Sequence, residues 1–368
     1  MRGFCFSLQY GRRPIQQITI PCRETSFRRR YHTPPTIPPD EVRVDVKVGS
    51  SGSIPLRIRN SPRPTPDAPI IIYLACGLRS EEHHRPTHNP LNSLALSAQA
   101  IVVEICYRLS PKSPFPKPIH DVMAGYDWIR KYLYPSPKKR DIGSHPNTSY
   151  ALPSLQSKKR IGVCGELAGG SLAAMLALTE CNPNGITSAA LGNPIVDWSS
   201  PLGPHIPSDS DNLNRSIQNL HTTSFAKPEH RYDPFASPLL FFRTPAYELP
   251  TPSLYGTNFP PLANGGSPKA DNSSTELVPR RRSHRKHPPP GSGLVFPATR
   301  IDVGPRFPMR DQAIEFAELM QRRVDLYETS ETPRDRVEVV ERGEDEGLWE
   351  EQDVMEIGRW MGEVLRKD

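Results

Sequence analysis

A turn framed by glycines, between two apolar segments, is the stretch of this sequence best suited to chemistry. Residues 161–166 form a short apolar run, and residues 171–178 are rich in Ala and Leu, as is typical of a buried helix. Gly165 and Gly169 have the spacing of the G-x-S-x-G elbow, which holds a nucleophilic serine on a strained strand-to-helix turn. The central residue here is Leu167, which has no nucleophilic atom. The turn therefore predicts the architecture of covalent ester or amide hydrolysis without its reacting group.

The segments around this turn alternate between strand and helix patterns. Residues 42–58 alternate apolar and polar side chains around a turn at 49–52, which predicts an antiparallel hairpin. Continuous apolar runs predict buried parallel strands, and amphipathic runs predict the helices between them. The predicted strands are 70–76, 100–107, 161–166, 186–191, 298–303 and 337–340, and the predicted helices are 90–99, 119–133, 171–178, 310–324 and 354–365. This order predicts an α/β fold with a mostly parallel central sheet, an antiparallel N-terminal hairpin and helices on both faces.

Three other stretches are poor in apolar residues or biased in composition. Residues 1–39 contain seven arginines and one acid, a composition that favours either a mitochondrial targeting segment or a disordered basic tail of a cytoplasmic protein. The stretches near 135–158 and 199–293 are rich in polar residues and proline, which predicts disordered insertions. We therefore expect a single domain over residues 40–368 that carries these two insertions.

Overall composition limits the classes of partner. The formal net charge of +6 is spread along the chain, so we expect no nucleic-acid partner. No apolar run reaches the roughly 20 residues needed to cross a bilayer, so we expect a soluble protein without a membrane span. The six cysteines have no C-x-x-C spacing and no accompanying histidines or acids, which predicts buried free thiols, no metal site and no cofactor. The sequence leaves the oligomeric state open.

Four motifs occur in an order that resembles one group of esterases. Residues 107–121 are similar to Y-R-L-A-P-E-x-x-F-P-A-x-x-x-D, and residues 165–173 to G-D-S-A-G-G-N-L-A. Residues 237–239 match S-P-L, and residues 307–311 are similar to D-P-L-R-D. The chain therefore resembles the α/β-hydrolases of the hormone-sensitive lipase and arylacetamide deacetylase group. The resemblance implies the α/β-hydrolase fold and a carboxylic ester hydrolase as the ancestral activity.

The same resemblance places other residue types where the esterase triad would be. Leu167 lies at the nucleophile position, Phe307 at the acid position and Glu346 at the histidine position. No histidine follows His287, so a shift of the alignment at that end supplies none. Hydrolysis in this group needs a serine activated by a histidine that an acid orients. The resemblance therefore implies a degenerate catalytic triad with no catalytic residues.

The resemblance also identifies the positions that support the reacting group. The oxyanion loop, which is rich in glycine in the family, corresponds to Ala75, Cys76 and Gly77. The residue after the nucleophile position is Ala168. The elbow positions are Gly165, Glu166, Gly169 and Gly170, where glycine lets helix and strand approach closely.

Three functions remain open from these observations. The first is a non-catalytic protein of the hydrolase fold, a pseudoenzyme, that binds a small apolar ligand or a partner protein. The second is an active ester or amide hydrolase with a non-standard constellation, for which the candidate groups are Cys76, Cys164 and Ser171 and the histidines 83, 84, 88 and 120. The third is an interaction protein that acts through its Pro- and Arg-rich inserts, in particular residues 264–290.

Overall fold

An eight-stranded sheet lies at the centre of the computed structural model of this protein. The structure describes residues 41–63, 68–77, 89–109, 112–134, 160–181, 185–200, 211–243, 296–327, 336–343 and 348–367. The strands are β1 (Glu41–Lys47), β2 (Ser53–Arg59), β3 (Ile70–Leu74), β4 (Ile101–Ile105), β5 (Ile161–Glu166), β6 (Ile186–Gly192), β7 (Ala298–Val303) and β8 (Val337–Glu341). Their spatial order is β1-β2-β4-β3-β5-β6-β7-β8. The pairs β1–β2 and β2–β4 are antiparallel, and the other five are parallel.

Helices cover both faces of this sheet. They are α1 (Pro90–Ala98), α2 (Lys117–Tyr132), α3 (Leu167–Thr179), α4 (Asp211–Thr223), α5 (Leu240–Arg243), α6 (Arg310–Tyr327) and α7 (Glu351–Lys367). Apolar side chains of α2, α3 and α6 belong to the larger core cluster, and those of α1 and α7 belong to the smaller cluster. The predicted fold class is therefore confirmed. The predicted strands and helices appear with shifts of a few residues at their ends.

Strand burial follows the expected periodicity. All residues of β3 and β5 are buried, because helices pack on both faces of these central parallel strands. Strand β2 instead alternates buried and more exposed residues, as its sequence predicted. Gly162 in β5 permits a close approach, because a Cβ there would lie 2.5 Å from the Met361 side chain of α7. Gly162 thus lets α7 pack closely against β5.

Part of the predicted insertion at 199–293 differs from the expectation of disorder. Residues 211–243 of this stretch contain α4, a 3₁₀ helix at Pro228–Tyr232 and α5. Burial explains this order, because Ile217, Leu220 and Phe235 lie in the larger core cluster. The overall polarity of the stretch hides these few spaced apolar residues.

The other predictions for stretches with few apolar residues fall on residues that the structure does not describe. These are the targeting or tail segment at 1–39, the insertion at 135–158, the rest of the 199–293 stretch, and the Pro- and Arg-rich residues 264–290. Among the helices that are described, none is long and apolar enough to cross a membrane.

A buried ion pair fixes the motif that follows β4. Asp121 on α2 is fully buried, and its carboxylate accepts hydrogen bonds from the Arg108 backbone N–H at 2.9 Å and from Nη2 at 2.6 Å. The same guanidinium donates to the carbonyl of Ser51 in the β1–β2 turn. Arg108 therefore joins the hairpin, the end of β4 and α2.

Replacement of Arg108 tests this junction. Arg108→Ala leaves the Asp121 carboxylate buried without its cation, and we expect a loss of about 3–5 kcal/mol in the free energy of unfolding, measured in urea. The matched control is Arg322→Ala, which removes a pair with Glu318 in which both side chains are exposed, and we expect a change within about 1 kcal/mol. Equal effects of the two variants would contradict the structural role of Arg108.

Candidate functional site

The predicted strained turn is present between β5 and α3. Leu167 is the first residue of α3 and has a φ of 48°, while Glu166 before it is extended with φ −120° and ψ 153°. A left-handed backbone is uncommon for a residue other than glycine and costs of order 1–3 kcal/mol. The side chain of Leu167 is completely buried in the larger core cluster. The elbow geometry is therefore kept, with an enclosed apolar side chain at its centre.

The glycines of the elbow allow main chain to contact main chain. A Cβ on Gly169 would lie 2.2 Å from the carbonyl oxygen of Leu74, and one on Gly165 would lie 2.6 Å from the same atom. A Cβ on Gly170 would lie 3.1 Å from the Gly165 carbonyl oxygen. Real side chains do not tolerate the first two distances, because the obstructing atoms are backbone. The elbow glycines thus keep the end of β3 in contact with the start of α3.

The loop after β3 lies beside the elbow. Gly77 has a φ of 80°, which favours glycine, and a Cβ there would lie 3.4 Å from the Ala168 side chain. The Tyr107 hydroxyl donates a hydrogen bond of 2.5 Å to the carbonyl of Ala75 and thereby ties the loop to the chain after β4. Cys76, between Ala75 and Gly77, is partly buried against the larger core cluster. The oxyanion-loop positions and Ala168 are therefore brought together.

Phe307 lies in the turn that follows β7. Its side chain is 3% exposed and belongs to the same core cluster as Leu167. Its backbone N–H donates to the carbonyl of Gly304 at 3.0 Å, and its carbonyl accepts from the Arg310 N–H at the start of α6. The position that the resemblance assigns to the acid thus holds a buried ring in a tight turn. Glu346, assigned to the histidine position, lies outside the described residues.

Comparison with known proteins agrees with this geometry. A family model described as alpha/beta hydrolase fold matches residues 75–266, more than half of the chain. This chain belongs to the α/β-hydrolase fold family. The matched residues include the loop after β3, the elbow and residues 211–243.

Sequence relatives of this α/β-hydrolase family member are esterases and related enzymes. Carboxylesterase NlhH of Mycobacterium tuberculosis is 32% identical over 153 residues, which are 40% of this chain and 42% of the relative. Tuliposide A-converting enzyme 2 of Tulipa gesneriana is 28% identical over 145 residues, which are 39% of this chain and 35% of that enzyme. The chain thus spans less than half of the length of either relative.

Solved structures support the same fold. The esterase of Pyrobaculum calidifontis has a TM-score of 0.54 with 19% identity, over 88% of this chain and 84% of its own. EstE1, a thermophilic carboxylesterase from a metagenomic library, has a TM-score of 0.54 with 17% identity, over 89% of this chain and 90% of its own. At these identities the likeness concerns the fold alone.

The S-P-L motif of this α/β-hydrolase family member has a structural role at the end of the 211–243 stretch. Ser237 is completely buried; its hydroxyl donates to the carbonyl of Arg231 at 2.6 Å and accepts from the Trp198 N–H at 2.9 Å. Ser171, one of the candidate nucleophiles, donates to the carbonyl of Ala236 at 3.2 Å. These bonds join the chain after β6, α3 and residues 231–237. Ser171 is therefore engaged in packing rather than presented at the turn.

Cys164 and His120 are two further candidate reacting groups among the described residues. Cys164 is completely buried in the smaller core cluster, across the sheet from the cluster of Leu167, and burial raises the pKa of its thiol far above the usual value. A thiol held protonated in this way is a poor nucleophile. His120 lies on α2, with intermediate exposure. The histidines at 83, 84 and 88 lie outside the described residues.

Sequence reasoning missed a polar cluster on the opposite side of the elbow. The buried Glu166 accepts a 2.7 Å hydrogen bond from the backbone N–H of Trp349. The indole Nε1 of Trp349 donates to Asp302 on β7 at 3.1 Å. Asp302 also binds Arg300 at 2.9 Å and Arg342 at 2.8 Å. The signal for this cluster was the charged pair Arg300 and Asp302 inside a buried strand, where unpaired charges are rare.

This polar cluster connects the elbow to α7. Arg342 also binds Asp353 at 2.6 Å and Glu356 at 3.0 Å, both on α7, and Arg300 binds Glu356 at 2.5 Å. Burial raises the pKa of Glu166 to about 8, and the negative charges of Asp302 and Asp353 add to the shift, while the Trp349 N–H opposes it. Glu166 is therefore a protonated carboxyl at neutral pH, adjacent to Leu167.

The raised pKa of Glu166 predicts a pH-dependent stability. The folded chain keeps this proton up to about pH 8, whereas the unfolded chain releases it near the ordinary value of 4.5. The contribution of Glu166 to the free energy of unfolding is therefore complete below pH 4.5 and is lost as pH rises towards 8, by at most about 1.4 kcal/mol per pH unit. Glu166→Gln keeps an acceptor for Trp349 and removes this slope.

Urea unfolding of the wild type and of Glu166→Gln between pH 5 and pH 8.5 measures the effect. We expect the wild type to lose stability relative to the variant as pH rises. Glu338→Gln, a change at an exposed carboxyl on β8, serves as the control and should follow the wild-type profile. Parallel profiles for the wild type and Glu166→Gln would show that the folded chain does not retain the Glu166 proton.

Proposed function

We propose that this α/β-hydrolase family member does not hydrolyse esters through the family triad and acts by binding, either of a small apolar ligand or of a partner protein. The observation that carries the proposal is Leu167 at the elbow. Its backbone has the left-handed conformation that presents a serine in an active elbow, and its side chain is completely buried among apolar residues. The geometry of the turn is retained and its chemistry is not.

A strained turn that is kept without a nucleophile needs a structural reason. The left-handed backbone at Leu167 costs of order 1–3 kcal/mol, and burial of a leucine side chain stabilises by about 1.5–3 kcal/mol. The packing of Leu167 therefore offsets the strain of the turn. This balance supports a fold that has replaced a reacting group with a core contact.

The apolar residues of the cluster that contains Leu167 favour an apolar partner over a charged substrate group. Phe307 is also buried in the larger core cluster, and Cys76 and Leu109 are partly buried against it. Leu109 lies against Gly77, since a Cβ on Gly77 would be 2.6 Å from its Cδ2 atom. An apolar ligand or an apolar side chain of a partner protein would find Cys76 and Leu109 at the exposed margin of this cluster.

Ester hydrolysis is the test of this proposal. We expect the full chain to hydrolyse short nitrophenyl esters at the background rate, and Leu167→Ser to remain at background, because a serine without a general base is not activated. The assay follows nitrophenolate release with variants whose folding is checked by circular dichroism. Turnover of the wild type at the rate of a working esterase would overturn the proposal.

An active hydrolase with a cysteine nucleophile is the second candidate. The observation that favours it is the placement of Cys76, partly exposed, between Ala75 and Gly77 on the loop beside the elbow. This candidate predicts ester turnover that is abolished in Cys76→Ala, together with labelling of one residue, Cys76, by a thiol-directed ester-like probe. Mass spectrometry of the labelled chain identifies the site. Absence of both turnover and selective labelling would exclude this candidate.

A further inference from the structure

The edge strand β1 has an unusual alternation of valine and charge. Its sequence is Glu41-Val-Arg43-Val-Asp45-Val-Lys47, with charges of alternating sign at the odd positions. Among the described strands it pairs only with β2, so its other side is an edge of the sheet. Edge strands carry main-chain groups that can pair with a further strand. The pattern of charges determines which strand would fit.

The main-chain groups of the odd residues point towards this edge. Asp45 lies opposite Pro55 of β2, and the carbonyl of Pro55 accepts a 3.1 Å hydrogen bond from Cys106, on the β4 side. The Asp45–Pro55 pair is therefore a non-hydrogen-bonded pair of the antiparallel ladder. Because pairs alternate along the ladder, the N–H and C=O groups of Glu41, Arg43, Asp45 and Lys47 are directed away from β2.

We propose that β1 binds a second copy of this chain through antiparallel pairing of two β1 strands about a two-fold axis at Val44. Arg43 then lies opposite Asp45 of the partner subunit, and Glu41 lies opposite Lys47 of the partner subunit. Each of these is a hydrogen-bonding pair, because both residues direct their main-chain groups to the edge. Arg43 and Asp45 thus meet opposite charges across the axis, while the buried Glu41 carboxylate keeps its ion pair with Arg57 of its own chain. The contact is the same for both copies, as a two-fold interface requires.

The charges select this register against its neighbours. A slip by two residues in one direction places Arg43 opposite Arg43 of the partner subunit and Glu41 opposite Asp45. A slip by two in the other direction places Asp45 opposite Asp45 of the partner subunit and Arg43 opposite Lys47. Like charges directly opposite each other are destabilising. A slip by one residue places the edge-directed N–H and C=O groups of the odd residues opposite even residues, whose main-chain groups already bond β2.

The valine face of β1 supports the same pairing. Val46 is 6% exposed, whereas Val42 is 49% exposed and is among the exposed large apolar residues of the described chain. In the proposed register Val42 lies opposite Val46 of the partner subunit, and Val44 lies opposite its own copy. The pairing would therefore bury Val42 on the face that carries the core. Charged residues on an edge strand usually discourage association, and here they restrict it to one register.

Sedimentation velocity of the full chain over a range of concentrations tests the proposal. We expect a monomer–dimer equilibrium for the wild type. Asp45→Lys places Lys opposite Arg43 of the partner subunit, and Arg43→Asp places Asp opposite Asp45; each should weaken the dimer at least tenfold. An equimolar mixture of the two variants restores opposite charges at every pair, so the mixture should dimerise while neither variant does alone. This rescue cannot result from misfolding of either variant.

A charge reversal on the other edge strand is the matched control. Glu338→Lys on β8 changes an exposed edge charge, and we expect it to leave the dimer unchanged. A wild type that is monomeric at all concentrations would overturn the proposal. A dimer that resists Asp45→Lys, or one that is split by Glu338→Lys, would show that copies associate through another surface. Failure of the folded variants to associate in the mixture would also overturn it.

Discussion

The site depends on one contact between main-chain atoms. The carbonyl oxygens at the end of β3 lie where the side chains of Gly165 and Gly169 would be, so any larger residue at these two positions would push the strand and helix apart. This contact holds the start of α3 against β3 and brings Ala168 beside Gly77. The left-handed turn at Leu167 lies between Gly165 and Gly169. The arrangement needs glycine but does not need a nucleophile.

The opposite side of the elbow is held by polar rather than apolar contacts. Glu166 bonds Trp349, Trp349 bonds Asp302, and Asp302 is paired with Arg342. Buried charges are expensive unless they are paired, and Asp302 is paired here with both Arg300 and Arg342, although the Nε of Arg342 has no hydrogen-bond partner among the described residues. It connects the elbow to the segment before α7, which follows the position where the family resemblance expects a histidine. The support of that segment is thus present although the sequence contains no histidine after His287.

Much of the fold was predictable because it depends on local patterns. The apolar runs of the central strands and the period-2 hairpin identified the sheet, and the spacing of Gly165 and Gly169 identified the strained turn. The order of residues 211–243 was not predicted, since it depends on a few apolar residues such as Ile217 and Phe235 that reach the core from a polar stretch. The hydrogen bond from Ser171 on α3 to the carbonyl of Ala236 was likewise not predicted, because it joins residues 65 positions apart that only packing brings together.

The sequence by itself determined which chemical groups are present: a leucine at 167, a phenylalanine at 307, and the alternating charges of β1. Residue types are fixed by the chain, and their spacing relative to glycines and strands gives their local conformation. Only the tertiary structure decided which distant groups meet, such as Glu166 with Trp349, and which lie apart, such as Cys164 on the other face of the sheet from the Leu167 cluster. These outcomes depend on the order and direction of strands in the sheet, which brings together residues with no fixed spacing in sequence.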